Sequence, residues 1–256
     1  MQLRVVLISF LSITYLISVA QDAKTLVKIA TDKLATTNVE MLMNIEEKDS
    51  KGRSKHKTFE LLLGQIDESK KTKIAMKKPE RATGVTIVIS DAQSANGVIE
   101  VYTPSNNKLR KMKATADNMK LVGFDFFMAD FEEHQTENVN YEFLETVEKN
   151  NELCYAIKAS GKTDADWAKL YIRKASETIV SIEMYNSNNQ LISETTLSDY
   201  KAINGSNGKL YPMQIITSDL LKKKQNTIHI LEIKSLTSID PDTFELDKLV
   251  DSSTSE

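Results

Sequence analysis

The chain has 256 residues, with 33 Lys and Arg against 36 Asp and Glu, a net charge of -3 and a pI near 5.8. Basic and acidic residues are interspersed, which leaves no electrostatic footprint for nucleic acid. Cys154 is the sole cysteine, so an internal disulfide is excluded and an apolar core must supply the stability.

Met1-Gln2-Leu3-Arg4 is followed by an apolar run from Val5 to Val19, with Ser18-Val19-Ala20 before Gln21. A basic start, an apolar stretch and small residues at the cut are the marks of a secretory signal peptide. The expectation is cleavage after Ala20 and export, since Ser9, Ser12, Thr14 and Ser18 interrupt a run that would otherwise suit a membrane span. Leu26, Val27, Ile29, Ala30 and Leu34 then recur at helical spacing, predicting one amphipathic helix over 22–37 with Asp22 as its N-cap.

Beyond residue 38 the period changes to two. Val39, Met41, Met43 and Ile45 alternate with Glu40, Asn44 and Glu46, and the run ends in the turn Asp49-Ser50-Lys51-Gly52. Phe59, Leu61 and Leu63 form a second such set, and Val85, Ile87 and Ile89 a third. Further strands are predicted at 99–102, 141–147, 153–159, 167–173, 178–185, 191–197, 210–218 and 228–235. Asn-Gly and Asn-rich turns separate most of them. The fold class read from this pattern is mainly β with few helices: a strongly curved antiparallel sheet, an incomplete β-barrel. An N-terminal helix and an apolar lid segment cover it, and its concave face is apolar. Residues 21–250 read as one domain and 251–256 as a disordered tail.

The lid is the segment 117–133, in which Leu121, Phe124, Phe126, Phe127, Met128 and Phe131 crowd together. So many aromatics need an apolar partner, because each prefers burial by roughly 1.5–3 kcal/mol. That partner is either the protein's own core or an apolar ligand. Lys108, Arg110, Lys111 and Lys113 form a basic cluster suited to a headgroup or an acidic partner, or to a solvated loop.

Catalytic signals are thin. His56, His134 and His229 stand far apart and in no metal-ligand spacing. His134 with Asp130, Glu132 and Glu133 is the one assembly that an enzyme could use, and a solvated charged end of the apolar segment accounts for it as well. Cys154 lies on a strand with no activating base announced, so it reads as a small hydrophobe. Met41 and Met43 could offer thioethers to a soft metal, but on one face of a strand they read as adaptable lining. No cofactor, metal or catalytic residue is expected.

With these motifs in order, the chain resembles the LolA-like family of outer-membrane lipoprotein-sorting proteins. Val39 to Arg53 is similar to that family's first hairpin. Val101-Tyr102-Thr103-Pro104 with Lys108 to Met112 resembles its Tyr-x-Pro and basic segment, and Gly123 to Phe131 its Gly-Ser-Asp-Phe motif. Cys154-Tyr155 and Ile239 to Phe244 also match, while Phe124 and Phe127-Met128-Ala129 replace polar residues and make the lid more apolar. The resemblance implies a periplasmic, monomeric carrier that shields the acyl chains of lipoproteins or other lipids and receives them from an inner-membrane transporter. Val39, Met41, Met43, Ile45, Phe59, Leu61, Leu63, Ile87 and Ile89 would line its cavity. The competing expectation is a non-catalytic envelope interaction module of the same fold, with the aromatic insert as permanent core.

Overall fold

The structure, a computed structural model, describes residues 23–34, 37–92, 94–115, 118, 139–161, 166–206 and 208–252. The expected signal peptide and, apart from Asn118, the expected lid lie outside these residues. One helix, α1 (23–34), precedes thirteen strands: β1 (Val39–Lys48), β2 (Ser54–Ile66), β3 (Ser69–Lys78), β4 (Thr86–Ser90), β5 (Val98–Thr103) and β6 (Lys108–Lys113) come first. They are followed by β7 (Asn140–Lys149), β8 (Glu152–Ser160), β9 (Trp167–Arg173), β10 (Ile179–Tyr185), β11 (Leu191–Ala202), β12 (Leu210–Asp219) and β13 (Lys224–Ser235). The strand order is β6-β5-β4-β3-β2-β1-β13-β12-β11-β10-β9-β8-β7, one antiparallel sheet that does not close, as the sequence predicts.

The chain divides into two compact units. The first comprises Met1–Ala35, Glu133–Asp199 and Ile215–Gln225, and the second Thr36–Glu132, Tyr200–Gln214 and Asn226–Glu256. In the first, α1 buries Ala23, Val27 and Ala30, spaced so that they share one helix face. Its C-terminal end is tied down by Lys33, whose Nζ donates to Ser176 O at 2.6 Å and to Glu177 Oε2 at 2.9 Å. Thr37, the predicted last residue, stands outside the helix, and Asp22, the expected N-cap, lies outside the described residues.

In the second unit, the turn between β1 and β2 forms as predicted. Asp49 Oδ1 accepts from the backbone N–H groups of Lys51 and Arg53 at 2.9 and 3.0 Å, which fixes the register of the hairpin. Two strands escape the sequence reading. β3 is Ser-Lys-Lys-Thr-Lys-Ile-Ala-Met-Lys-Lys, in which Thr72, Ile74 and Met76 are buried while lysines occupy the other side. β6 is Lys-Leu-Arg-Lys-Met-Lys, where a basic cluster or loop is expected, and it pairs with β5 over its whole length.

A sheet has two faces, and in the second unit side chains on both are buried. On the face opposite Met41 and Leu61, the C-terminal segment lays Phe244 and Leu246 against Val88 and Tyr102, with Leu62, Ile66, Leu109, Ile239, Leu249 and Val250 around them. Lys73 Nζ donates to Thr243 O at 2.8 Å, and Lys71 Nζ lies 5.8 Å over the Phe244 ring. The close approach depends on Gly64, because a Cβ there would meet Ile239 Cδ1 and Phe244 Cζ at 2.8 Å. The segment ends in α2 (Asp247–Ser252), two residues into the stretch that the sequence leaves as tail.

Phe244 is 2 % exposed, so Phe244→Ala should lower stability by about 3–5 kcal/mol in urea unfolding. Gly64→Ala should lower it by a smaller amount, since the two facing side chains must shift. Wild-type stability in Phe244→Ala would mean that the C-terminal segment is not part of the packed structure.

Candidate functional site

The residues expected to line a cavity do share one face, and the pairing register shows how. Met43 lies opposite Phe59, which lies opposite Met76. The next row runs Met41, Leu61, Ile74, Ile87, Val101, and the third Val39, Leu63, Thr72, Ile89, Ile99, Met112. Two rows of directly opposed, mainly apolar side chains thus cross β1 to β5 and a third crosses β1 to β3, each pair contributing through close cross-strand contact. Val39, Met41, Met43, Ile45, Phe59, Leu61, Ile87 and Ile89 are all 3 % exposed or less, and Leu63 is half-buried.

The basic cluster is divided by the same register. Lys108 and Arg110 alternate with Leu109 and so lie on the side of Met112 and the apolar rows, at the edge strand. Lys111 and Lys113 lie on the opposite side. There Lys111 Nζ is 2.6 Å from Glu100 Oε1 and 3.7 Å from Asp247 Oδ2, contacts that hold its ammonium above the usual lysine range. The lid residues Leu121, Phe124, Phe126, Phe127 and Met128 lie outside the described residues, as does His134.

His56 and His229 are exposed on β2 and β13, and His56 is paired opposite Glu46. Glu46 accepts from Ser54 Oγ at 2.6 Å; that bond, with the histidines adding to it, holds the carboxyl below its usual value. Cys154 is fully buried beside Ala156, Tyr171, Val180 and Val147, and burial pushes its thiol up, away from reactivity. Among the described residues no group of three or more His, Cys, Asp or Glu could hold a metal.

On the other face of β1 and β2 there is a half-open cavity of about 500 Å³. Glu40, Leu42, Glu60, Leu231, Ile233 and Lys234 contribute to its walls, and of the predicted cavity residues Met41 reaches it. Glu40 is ion-paired with Lys234 and Glu60 with Lys77. Sequence alternation assigns these positions to a wet face and gives no sign of a hollow there.

A buried charge cluster in the first unit also went unforeseen. Glu183 accepts from Lys149 Nζ at 2.8 Å, Tyr171 Oη at 3.0 Å and Tyr185 Oη at 2.7 Å, and Lys149 reaches Glu194 Oε1 at 3.0 Å. Lys149 also lies 4.7 Å over the Tyr171 ring. Burial pushes the Glu183 carboxyl up, but bonds from Lys149, Tyr185 and Tyr171 outweigh it and hold the group below the usual carboxylate range. Lys149 is pushed down by burial and up, on balance, by the two glutamates. Burial and Glu183 push the Tyr185 phenol up to about 12. The arrangement is a satisfied tether with no nucleophile and no open coordination position.

Because the folded pKa of Glu183 is depressed, its contribution is present above the unfolded value of about 4.3 and is lost as pH falls through the folded value. Glu183→Gln should therefore cost about 1.5–3 kcal/mol at neutral pH, with the gap to wild type closing below pH ~4. Denaturant unfolding across pH 3 to 7 reads this. A gap that stays constant over that range would contradict an ionised Glu183.

The fold is that of the LolA-like lipoprotein-sorting proteins. Among solved structures, the chain is similar to a domain from Vibrio parahaemolyticus named for outer membrane lipoprotein sorting, with TM-score 0.70 and 12 % identity. That match covers 90 % of this chain and 99 % of the other. A DUF1329 family protein from Desulfovibrio piger gives TM-score 0.71 at 13 % identity, over 90 % of this chain and 99 % of that one. A LolA superfamily protein from Nitrosomonas europaea gives 0.62 at 14 %, over 88 % and 98 %. No curated protein matches the sequence. A family model described as an uncharacterized protein matches residues 68–251, and the chain belongs to that family.

Proposed function

We propose that this protein is a periplasmic carrier that binds a lipid, or the acyl chains of a lipoprotein, non-covalently and passes it to a partner. The observation that carries the reading is the set of apolar rows in register across β1 to β5. Such a surface offers no directional chemistry, only area, and each methylene buried against it contributes about 0.8 kcal/mol. The similarity to lipoprotein-sorting folds supports the same reading, as does the signal-like start. The working unit would be a single domain over residues 21–250, acting as a monomer, with an inner-membrane transporter as donor. The lid residues would close over the cargo. Lys108 and Arg110, on the apolar side of the edge strand, would meet a headgroup. Carriage of this kind asks for no catalytic residue or cofactor.

The near-complete burial of Met43, Phe59 and Leu61 favours a second reading, in which these rows are permanent core and the fold serves as an envelope interaction module. Met43→Asp and Leu61→Asp separate the possibilities when lipid is extracted from purified protein. Both should abolish lipid co-purification and lower stability by several kcal/mol, because an unpaired carboxylate is buried. Glu40→Gln and Glu60→Gln should change little, each removing one exposed ion pair. If lipid is lost in the glutamine pair and kept in the aspartate pair, the ligand sits in the cavity on the other face.

A further inference from the structure

We propose that the tip of the β12–β13 hairpin is a docking site for an anionic lipid bilayer. Residues 219–224 read Asp-Leu-Leu-Lys-Lys-Lys, and the four central residues form the turn. Leu220 and Leu221 are 44 % and 59 % exposed, and the three lysines beside them are exposed as well.

Hairpin tips ordinarily use Gly, Asn or Asp, which suit the turn backbone and water alike. Here the left-handed position is a lysine, Lys223 at φ 53°, and two leucines stand before it. Their exposure belongs to a fixed turn. Asp219 Oδ1 accepts from Lys222 N–H at 2.8 Å, and Asp219 Oδ2 meets Lys222 Nζ at 3.2 Å. Leu220 N–H donates to Ile192 O at 2.9 Å, and Gln225 Nε2 donates to Ser218 Oγ at 3.2 Å. Asp219 offsets one of the three lysine charges and leaves the tip positive.

Two adjacent leucines with a ring of lysines match the layering of a membrane surface, where apolar groups enter the acyl boundary and cations stay among anionic headgroups. The area involved argues against a folded protein partner. Four residues of turn fall far short of the roughly 1,000 Å² that a specific interface needs. A fluid bilayer makes no demand for a complementary pocket. The anchor is small, so the contact would be weak and reversible. This inference does not rest on the carrier reading, since the tip lies outside the apolar rows.

Co-sedimentation of the full chain with phosphatidylcholine vesicles, with or without about 30 % phosphatidylglycerol, tests it at low and high salt. Binding should need the anionic lipid and fall with salt. Leu220→Ser/Leu221→Ser should weaken it about tenfold or more. Lys222→Gln/Lys223→Gln/Lys224→Gln should weaken it by roughly fivefold for each lysine at the surface and abolish the lipid preference. Melting temperature and uptake of a fluorescent fatty acid should be unchanged in both variants; wild-type protein that binds vesicles but takes up no fatty acid would sink the carrier reading and leave this one standing. Equal binding to neutral and anionic vesicles, or unchanged binding in both variants, overturns the assignment. So does absence of vesicle binding, including the case in which the variants alter the oligomeric state instead.

Discussion

Keeping the apolar rows of β1 to β5 away from water is the constraint on which the rest of the second unit depends. Met41, Leu61, Ile74 and Ile87 stand directly opposite one another, so each strand fixes which face its neighbour must bury. A slip of one residue would turn the whole set outward. The same alternation sends Leu62, Val88 and Tyr102 to the other side, which then needs a cover of its own. Phe244 and Leu246 supply it, and Gly64 makes room for them. The C-terminal segment is thus a consequence of the sheet's pattern, reached over a sequence separation of 170 residues between Lys73 and Thr243.

The first unit solves a different problem. Its β7 to β11 face carries Lys149, Glu183, Tyr171 and Tyr185 where an apolar layer would be the usual choice, and these four side chains bond one another. A satisfied network of this kind ties strands 34 and 45 residues apart in sequence to one geometry. Trp167 stacks on Tyr185 at 4.1 Å and Lys158 caps Trp167 at 5.0 Å, extending the same face with rings and cations. With the single cysteine buried and unpaired, these contacts tie the strands together without a disulfide.

Where one face was buried and the other wet, the sequence was legible. Val39 to Ile45 announces its strand because buried and half-exposed positions alternate along it. β3 and β6 do not, since lysine and arginine crowd both strands around Thr72, Ile74 and Met76 and around Leu109 and Met112. Their stems and charges are accommodated by partners, such as Glu60, Glu100 and Thr243 O, that local pattern cannot supply. The basic cluster looked like one patch in sequence, and pairing with β5 splits it between two faces. The charge cluster around Glu183 was invisible for the same reason: its members meet only when five strands are in register. The fold class followed from period and turn chemistry. The outer cavity and the leucine-bearing tip did not, because both depend on what neighbouring strands leave uncovered.

An apolar face of this extent serves either as permanent core or as a surface lent to cargo, and the two differ in what accompanies the native protein. Native mass spectrometry of protein purified from its own envelope, followed by lipid extraction, distinguishes them most directly. The account predicts a bound lipid or acylated species that leaves on mild activation, near one per chain. Protein that arrives bare, and stays bare after incubation with lipid, would contradict the claim that these rows carry cargo.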